Sequence, residues 1–210
     1  MWPDLSQELG LFNAGYAHIA GIDEAGRGAW AGPVYAAAVV LPLDRPHLPE
    51  LLDGVRDSKL LSPARREALL PVIEDVAVAV GVGWAAPTEI DELGIAPATR
   101  QAMTRALSDL NGQVSALLID YVRLPESDLH QRALPKADAR CLSVAAASIV
   151  AKVTRDRLMA KLDEDLPGYG FAQHKGYGTR QHRQALAQLG PSPIHRMSWR
   201  PLQALSEVGK

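Results

Sequence analysis

At 210 residues, 47% hydrophobic and 22% charged, the chain fits one domain with at most an appended lobe and can bury a sizeable core. Its single cysteine, Cys141, excludes an intrachain disulfide framework or a zinc cluster, and no run reaches the ~18 apolar residues of a membrane span. With a net charge of −2 and no secretory leader at Met-Trp-Pro-Asp-Leu, a cytoplasmic protein is expected that does not coat nucleic acid indiscriminately.

Residues 1–16 read as a short, weak helix or arm, and residues 18–23 as a first strand. Asp23 and Glu24 end that apolar run, and Gly26-Arg27-Gly28 follows at once. Successive strand side chains point to opposite faces, so both acids serve one site only if the strand stops or bends there. Gly21, Gly26, Gly28 and Gly32 permit a bend and a close approach of backbone to ligand. Residues 34–41 are apolar on both faces between Pro33 and Pro42 and predict a buried strand in mid-sheet. A proline-rich loop, 42–49, follows.

Asp57-Ser-Lys59 precedes a helix with Ser62 as N-cap and Pro63 at its first position. Pro71 should end or kink it. Residues 76–84 are β-branched and alternating and predict a third strand. Thr88-Glu-Ile-Asp91 resembles a capping box opening a short helix that Gly94 ends; Pro97 then opens a longer helix to about Leu110. Asn111-Gly112 is a turn. Residues 116–120 form a fourth apolar strand that again ends in an acid, Asp120. In open α/β sheets ligands gather at the carboxyl ends of strands, so two aspartates there point to a site.

Residues 121–135 read as irregular. Lys136-Ala-Asp138 leads into the longest helix, about 143–165, whose small-residue start permits close packing on a sheet; Cys141 is expected to be packed just before it. Lys152, Arg155 and Asp156 share one face by their spacing, as an ion-pair ladder or beside the site. Residues 168–178 are a loop containing His174-Lys-Gly-Tyr-Gly-Thr179. Thr179 caps a helix to Leu189, which Gly190-Pro191 stops, and the last residues are expected to be a loosely packed tail. Lysine, histidine and free N–H groups at a helix start suit a phosphate.

Charge is unevenly spread. Between residues 140 and 200 the bases Arg140, Lys152, Arg155, Arg157, Lys161, Lys175, Arg180, Arg183, Arg196 and Arg200 face only Asp156, Asp163, Glu164 and Asp165. The C-terminal third is read as a basic surface for a polyanion, with cations held by acids further up the chain. Asp23, Glu24, Asp120 and Asp138 are the candidate acids. If they cluster, they must protonate or bind cations. Oxygen-only ligands favour Mg²⁺ or Mn²⁺, and two such ions, ~3.5–4 Å apart, suit phosphodiester hydrolysis.

Taken together, Gly21-Ile-Asp-Glu-Ala-Gly-Arg-Gly28, Ala31-Gly-Pro-Val34, Asp57-Ser-Lys59, Leu118-Ile-Asp120, Lys136-Ala-Asp138, the helix start at 143–156, Tyr169-Gly-Phe-Ala-Gln-His-Lys-Gly-Tyr-Gly-Thr179 and Gly190-Pro-Ser-Pro-Ile-His-Arg196 closely resemble bacterial ribonuclease HII. The resemblance spans about residues 20–199, with the motifs in order. It implies a single catalytic domain of α/β class, a ribonuclease H-like mixed sheet flanked by helices. A C-terminal helical part, about 166–210, would help to bind substrate. By the resemblance Asp23, Glu24, Asp120 and Asp138 are metal-binding catalytic carboxylates. Gly26, Arg27 and Gly28 would read the 2′-OH at the RNA–DNA junction through backbone groups, and Tyr177 would stack on the following sugar. The implied reaction is hydrolysis on the 5′ side of a ribonucleotide, in RNA–DNA hybrid or in duplex DNA with embedded ribonucleotides, leaving 3′-OH and 5′-phosphate ends.

Lys59, Arg27, Lys175 and Arg196 are candidates for phosphate contact, and Asp156 is open between the metal's outer shell and an ion pair. Tyr121-Val122 stand where a glycine-containing turn is expected, and Trp30 is heavier than expected. A monomer is expected, and the tail to Lys210 has no clear docking motif for a sliding clamp. Two rivals remain open: a non-catalytic duplex-binding module using the basic face, and a carboxylate-pair sugar hydrolase pairing Asp23 or Glu24 with Asp120.

Overall fold

The computed structural model describes residues 2–110, 112 and 114–208. In chain order the helices are α1 (Ser6–Asn13), α2 (Leu48–Leu51), α3 (Pro63–Val76), α4 (Pro87–Leu93), α5 (Ile95–Asp109), α6 (Leu142–Asp165), α7 (Phe171–His174), α8 (Arg180–Leu189) and α9 (Arg200–Val208). The strands are β1 (Ile19–Ala25), β2 (Val34–Val40), β3 (Ala79–Ala85), β4 (Ala116–Asp120) and β5 (His130–Leu134). They form one sheet in the order β3-β2-β1-β4-β5. The β1, β2 and β3 pairings are antiparallel, whereas β4 and β5 run parallel to β1.

Alternation of side chains splits the apolar residues between two layers. Ala37 and Val39 face α6 and α3, whereas Ala36, Ala38 and Val40 face α5 with Ile22 and Ile119. The small residues at the start of α6 permit its close seating on β1. A Cβ on Gly21 would lie 2.3 Å from the Ser143 carbonyl carbon, so only glycine lets the helix this near.

Several predicted boundaries shift. Pro71 lies inside α3 without ending it. Its ring is on the exposed side, where water can serve the freed Glu67 carbonyl, while Leu70, Ile73 and Val76 hold the last turns in the core. The third strand therefore starts at Ala79. The helix starts earlier than Thr88 and forms only half a capping box: Glu89 accepts the Ala86 N–H at 2.7 Å, with Pro87 at the first helical position, but alanine has no side-chain acceptor to complete the pair. α5 begins at Ile95, and Pro97 is tolerated in its first turn, where the N–H has no helical partner to lose. The stretch read as irregular contains β5, a polar edge strand without apolar alternation. The proline-rich loop holds α2, and the glycine-rich loop holds α7. The predicted turn at Asn111-Gly112 falls on a residue, Asn111, outside the described ones. The C-terminal stretch is α9 rather than a loose tail, with Leu202 buried against a small core that includes Met159, Tyr169 and Phe171.

Candidate active site

The acids meet where strand pairing runs out. β4 stays in register with β1 up to Ile22 opposite Ile119, which sets Asp23 level with Asp120 on the sheet face that α6 covers. Of the two alternatives, a stop or a bend at Asp23, the first is excluded: the strand stays paired with β2 through Ala25. What opens the site is the end of β4, which frees that edge of β1 beside Asp23 and Glu24. Asp138 arrives on a 3-10 turn, Ala137–Ala139, just before α6. This turn is tied to β4, because Asp120 Oδ1 accepts the Ala137 N–H at 2.8 Å.

The four acids form one electrostatic neighbourhood. Burial, then the charges of Glu24 and Asp120, hold the Asp23 carboxyl well above the usual carboxylate range. Burial also raises Glu24, with Asp120 adding to it and Arg27 opposing it. Asp138 is raised by burial, then by Asp57, with Lys59 opposing and Asp120 adding. Lys59 closes the group. Burial acts to lower its ammonium, but Asp23, Asp138, Asp57 and Asp120 together outweigh this and raise it. Its Nζ lies 3.5 Å from Asp138 Oδ2. Asp57 was not singled out as an acid of the site; only its place in Asp-Ser-Lys marked it. The motif's own fold explains its position: Asp57 caps the 3-10 turn Ser58–Leu60, Ser148 of α6 accepts the Ser58 N–H, and Arg66 grips the Ser58 and Leu61 carbonyls.

Among the described residues, no three His, Cys, Asp or Glu side chains stand as a group that could hold a metal ion as they lie. The expected convergence on one metal-sized space is thus not met atom by atom. Like charges repel in a buried site, and each acid takes a nearer partner. Asp23 accepts the Glu24 N–H at 2.7 Å, and Glu24 Oε1 leans toward Arg27 at 3.7 Å. In kind, however, the residues fit a divalent cation. The donors are all oxygens, and Glu24 Oε2 is buried without a hydrogen-bond partner.

Beside the acids lies the Gly26-Arg27-Gly28 loop. Gly26 has φ 86°, and a Cβ there would strike the Arg155 guanidinium, so two separate constraints require glycine. Arg155, expected on a shared polar face, is instead fully buried, donating to the Pro33, Ala31 and Lys175 carbonyls. Asp156 takes the ion-pair alternative, with Lys152 at 2.7 Å and Arg66 at 3.6 Å. Arg196, read as a phosphate contact, is corrected by its position: it is fully buried, and its donors go to the Gly26, Arg27 and Gly32 carbonyls. Burial, with Arg155 nearby, lowers its guanidinium to about 9, still charged at neutral pH. The basic surface read from the C-terminal third accordingly loses these two members. Lys59 remains exposed at the site and Arg27 half-buried, and half-buried Lys175 turns its Nζ to the Ala172 carbonyl.

Tyr177 is exposed, with Lys152 Nζ and Arg155 Cζ each 5.6 Å from its ring centre. Its backbone is fixed by histidines that sequence reasoning did not single out. A carbonyl only accepts, so His182 Nδ1 donates to Tyr177 O at 3.1 Å, leaving His182 Nε2 to accept from His195 Nε2 at 2.9 Å. His195 Nδ1 then accepts the Ser192 N–H at 2.8 Å, so every tautomer is consistent. The heavy Trp30 has its place here too, packed on Gly178, where a Cβ would overlap the indole, and beside His182.

A profile of the family "Ribonuclease HII" matches residues 20–201. A ribonuclease HII from Chloroflexus aurantiacus is 57% identical over 202 residues, covering 96% of this chain and 95% of that relative. Among solved structures, ribonuclease H2 from Pyrococcus horikoshii OT3 superposes with a TM-score of 0.77 at 30% identity, over 91% of this chain and 98% of the other. The ribonuclease HII in a PCNA complex from Archaeoglobus fulgidus gives 0.73 at 31% identity, over 89% and 96%.

Proposed function

Because the chain belongs to the ribonuclease HII family, we propose that it hydrolyses the phosphodiester on the 5′ side of a ribonucleotide, in RNA–DNA hybrid or in duplex DNA carrying embedded ribonucleotides, leaving 3′-OH and 5′-phosphate ends. At the coarser level it is a metal-dependent endoribonuclease acting on RNA–DNA hybrids. The observation that carries the finer reading is a buried acid cluster, with a carboxylate oxygen left without a partner, beside a loop that offers backbone N–H groups.

In this reading Asp23, Glu24, Asp120 and Asp138 hold two Mg²⁺ or Mn²⁺ ions. Bound there, the ions supply an activated water and charge to steady the leaving oxygen. Gly26, Arg27 and Gly28 recognise the ribose 2′-OH, the group that separates RNA from DNA at a given position. Tyr177 stacks on the sugar that follows, and Lys59, Arg27 and Lys175 lie toward the phosphates. The C-terminal helical part, from about residue 166, supports the duplex. The protein acts as a cytoplasmic monomer; among the described residues no helix is long and apolar enough to cross a membrane.

The test is cleavage-site mapping on a duplex with one ribonucleotide, with and without Mg²⁺ or Mn²⁺. Chelation should abolish cutting, and Asp138→Asn should lower kcat by about 10²-fold or more, the scale of losing a preorganised charged group at a reacting phosphate. Normal cutting by Asp138→Asn would remove that residue from the site. Tight duplex binding with no cutting under any metal would favour a pure binding module.

A further inference from the structure

On the nuclease reading above, we propose that Arg196 is a positioning residue that aims the Arg27 and Gly28 N–H groups at the ribose 2′-OH. Its guanidinium fork reaches Gly26 O at 2.7 Å through Nη2, Arg27 O at 2.9 Å through Nη1 and Gly32 O at 3.0 Å through Nε. In a trans peptide the C=O and the following N–H point in opposite directions, and the described chain has no cis bond. Turning the Gly26 carbonyl inward therefore turns the Arg27 N–H outward, and the inward Arg27 carbonyl does the same for the Gly28 N–H. Among the described residues neither N–H has a protein partner, whereas the next one, Ala29 N–H, folds back on Gly26 O.

The device is costly. Arg196 is buried to 0% exposure, and among the described residues no carboxylate stands within ion-pair distance of it. A buried charge held by carbonyl dipoles, with the Trp199 ring 5.3 Å from its Cζ, is an expensive way to close a loop, since an apolar side chain would fill the space without desolvating an ion. What an apolar residue cannot do is hold three carbonyls in one plane. Lysine cannot either, having one nitrogen where the fork has three. Arg155 repeats the arrangement on the neighbouring backbone. It binds the Ala31 and Pro33 carbonyls and, through Lys175 O, joins them to the loop that carries Tyr177. The two guanidiniums thus set the spacing between the groups that feel the 2′-OH and the ring that meets the next sugar.

The experiment compares the parent protein with Arg196→Lys and with Gly28→Pro, which keeps Arg196 but deletes one aimed N–H. Cutting of a single-ribonucleotide duplex is measured in Mg²⁺. Affinities for that duplex and for the same all-DNA duplex are measured in chelator across a salt range, below the melting temperature of each variant. Both variants should lose the ribonucleotide preference by roughly tenfold, the scale of one buried hydrogen bond left unmade, with all-DNA affinity and salt slope unchanged. Equal loss on both duplexes with a shallower salt slope would make Arg196 a phosphate contact and overturn the proposal. So would an undiminished preference in folded Arg196→Lys. If that variant does not fold, an undiminished preference in Gly28→Pro overturns it. A parent protein that neither cuts nor prefers the ribonucleotide duplex instead defeats the nuclease reading itself, a result distinct from an active parent with indifferent variants.

Discussion

Tyr121 holds a left-handed backbone, φ 60°, directly after Asp120, with its ring 74% exposed. The turn is the one that a glycine-containing sequence would make. Here it is forced on a bulky residue because the Tyr121 N–H must reach Leu134 O while the Val122 N–H returns to Asp120 O. A tyrosine in this region is strained by about 1 kcal/mol. Tyr121→Gly should therefore raise stability by about 0.5–1 kcal/mol, since glycine takes a positive φ without a Cβ clash and the exposed ring surrenders little burial. A urea midpoint that falls instead would show that the ring contributes more than its exposure suggests.

At the scale of elements, α6 is capped from a distance. Its N-cap, Cys141, has no capping side chain, so Glu8 of α1 accepts both the Ser143 N–H at 2.8 Å and the Ser143 hydroxyl at 2.7 Å. Residues 1–16 read as a weak helix or arm because their periodicity is poor; a contact across 135 residues leaves no local trace. Glu8→Ala should cost about 1–3 kcal/mol by stranding a buried donor at a helix start, measurable by denaturant unfolding. α9 makes the same point at the other end. Leu202→Ala should cost about 2–4 kcal/mol, as expected for a buried leucine truncated in a packed cluster. A cost near zero would return this segment to the loose tail read from the sequence.

For the molecule as a whole, the histidine chain behind Tyr177 couples stability to pH. Burial first, and the nearby histidines, lower His182 to about 4; burial does the same for His195, against an ordinary 6.5. Between these values the unfolded chain binds protons that the folded one refuses, so this contribution is complete above pH 6.5 and is lost as pH falls toward 4. The loss is on the order of 3 kcal/mol, and a single proton disrupts the pair because His182 Nε2 must stay an acceptor. Glu8, Asp23, Glu24 and Asp138, all raised in the folded state, act in the opposite sense on acidification. The measurement is therefore a difference: between pH 7 and 4.5 the parent should lose more stability than a His182→Gln/His195→Gln double variant. Parallel curves would exclude the pair as the cause.

The sequence by itself determined the sheet strands that alternate or run apolar, the N-caps at Ser62 and Thr179, and the two strands that finish near acids. These are local signals, written in periodicity and in side chains that bond to their own neighbours. It could not show β5, whose polar residues pair only because β4 lies beside them, or that the site opens where β4 ends rather than where β1 stops. Nor could it tell Arg155 and Arg196 from exposed bases such as Arg180, because a guanidinium's burial depends on which distant carbonyls surround it. That choice belongs to the tertiary structure: a charge leaves water only when packing from several segments supplies its hydrogen bonds at once.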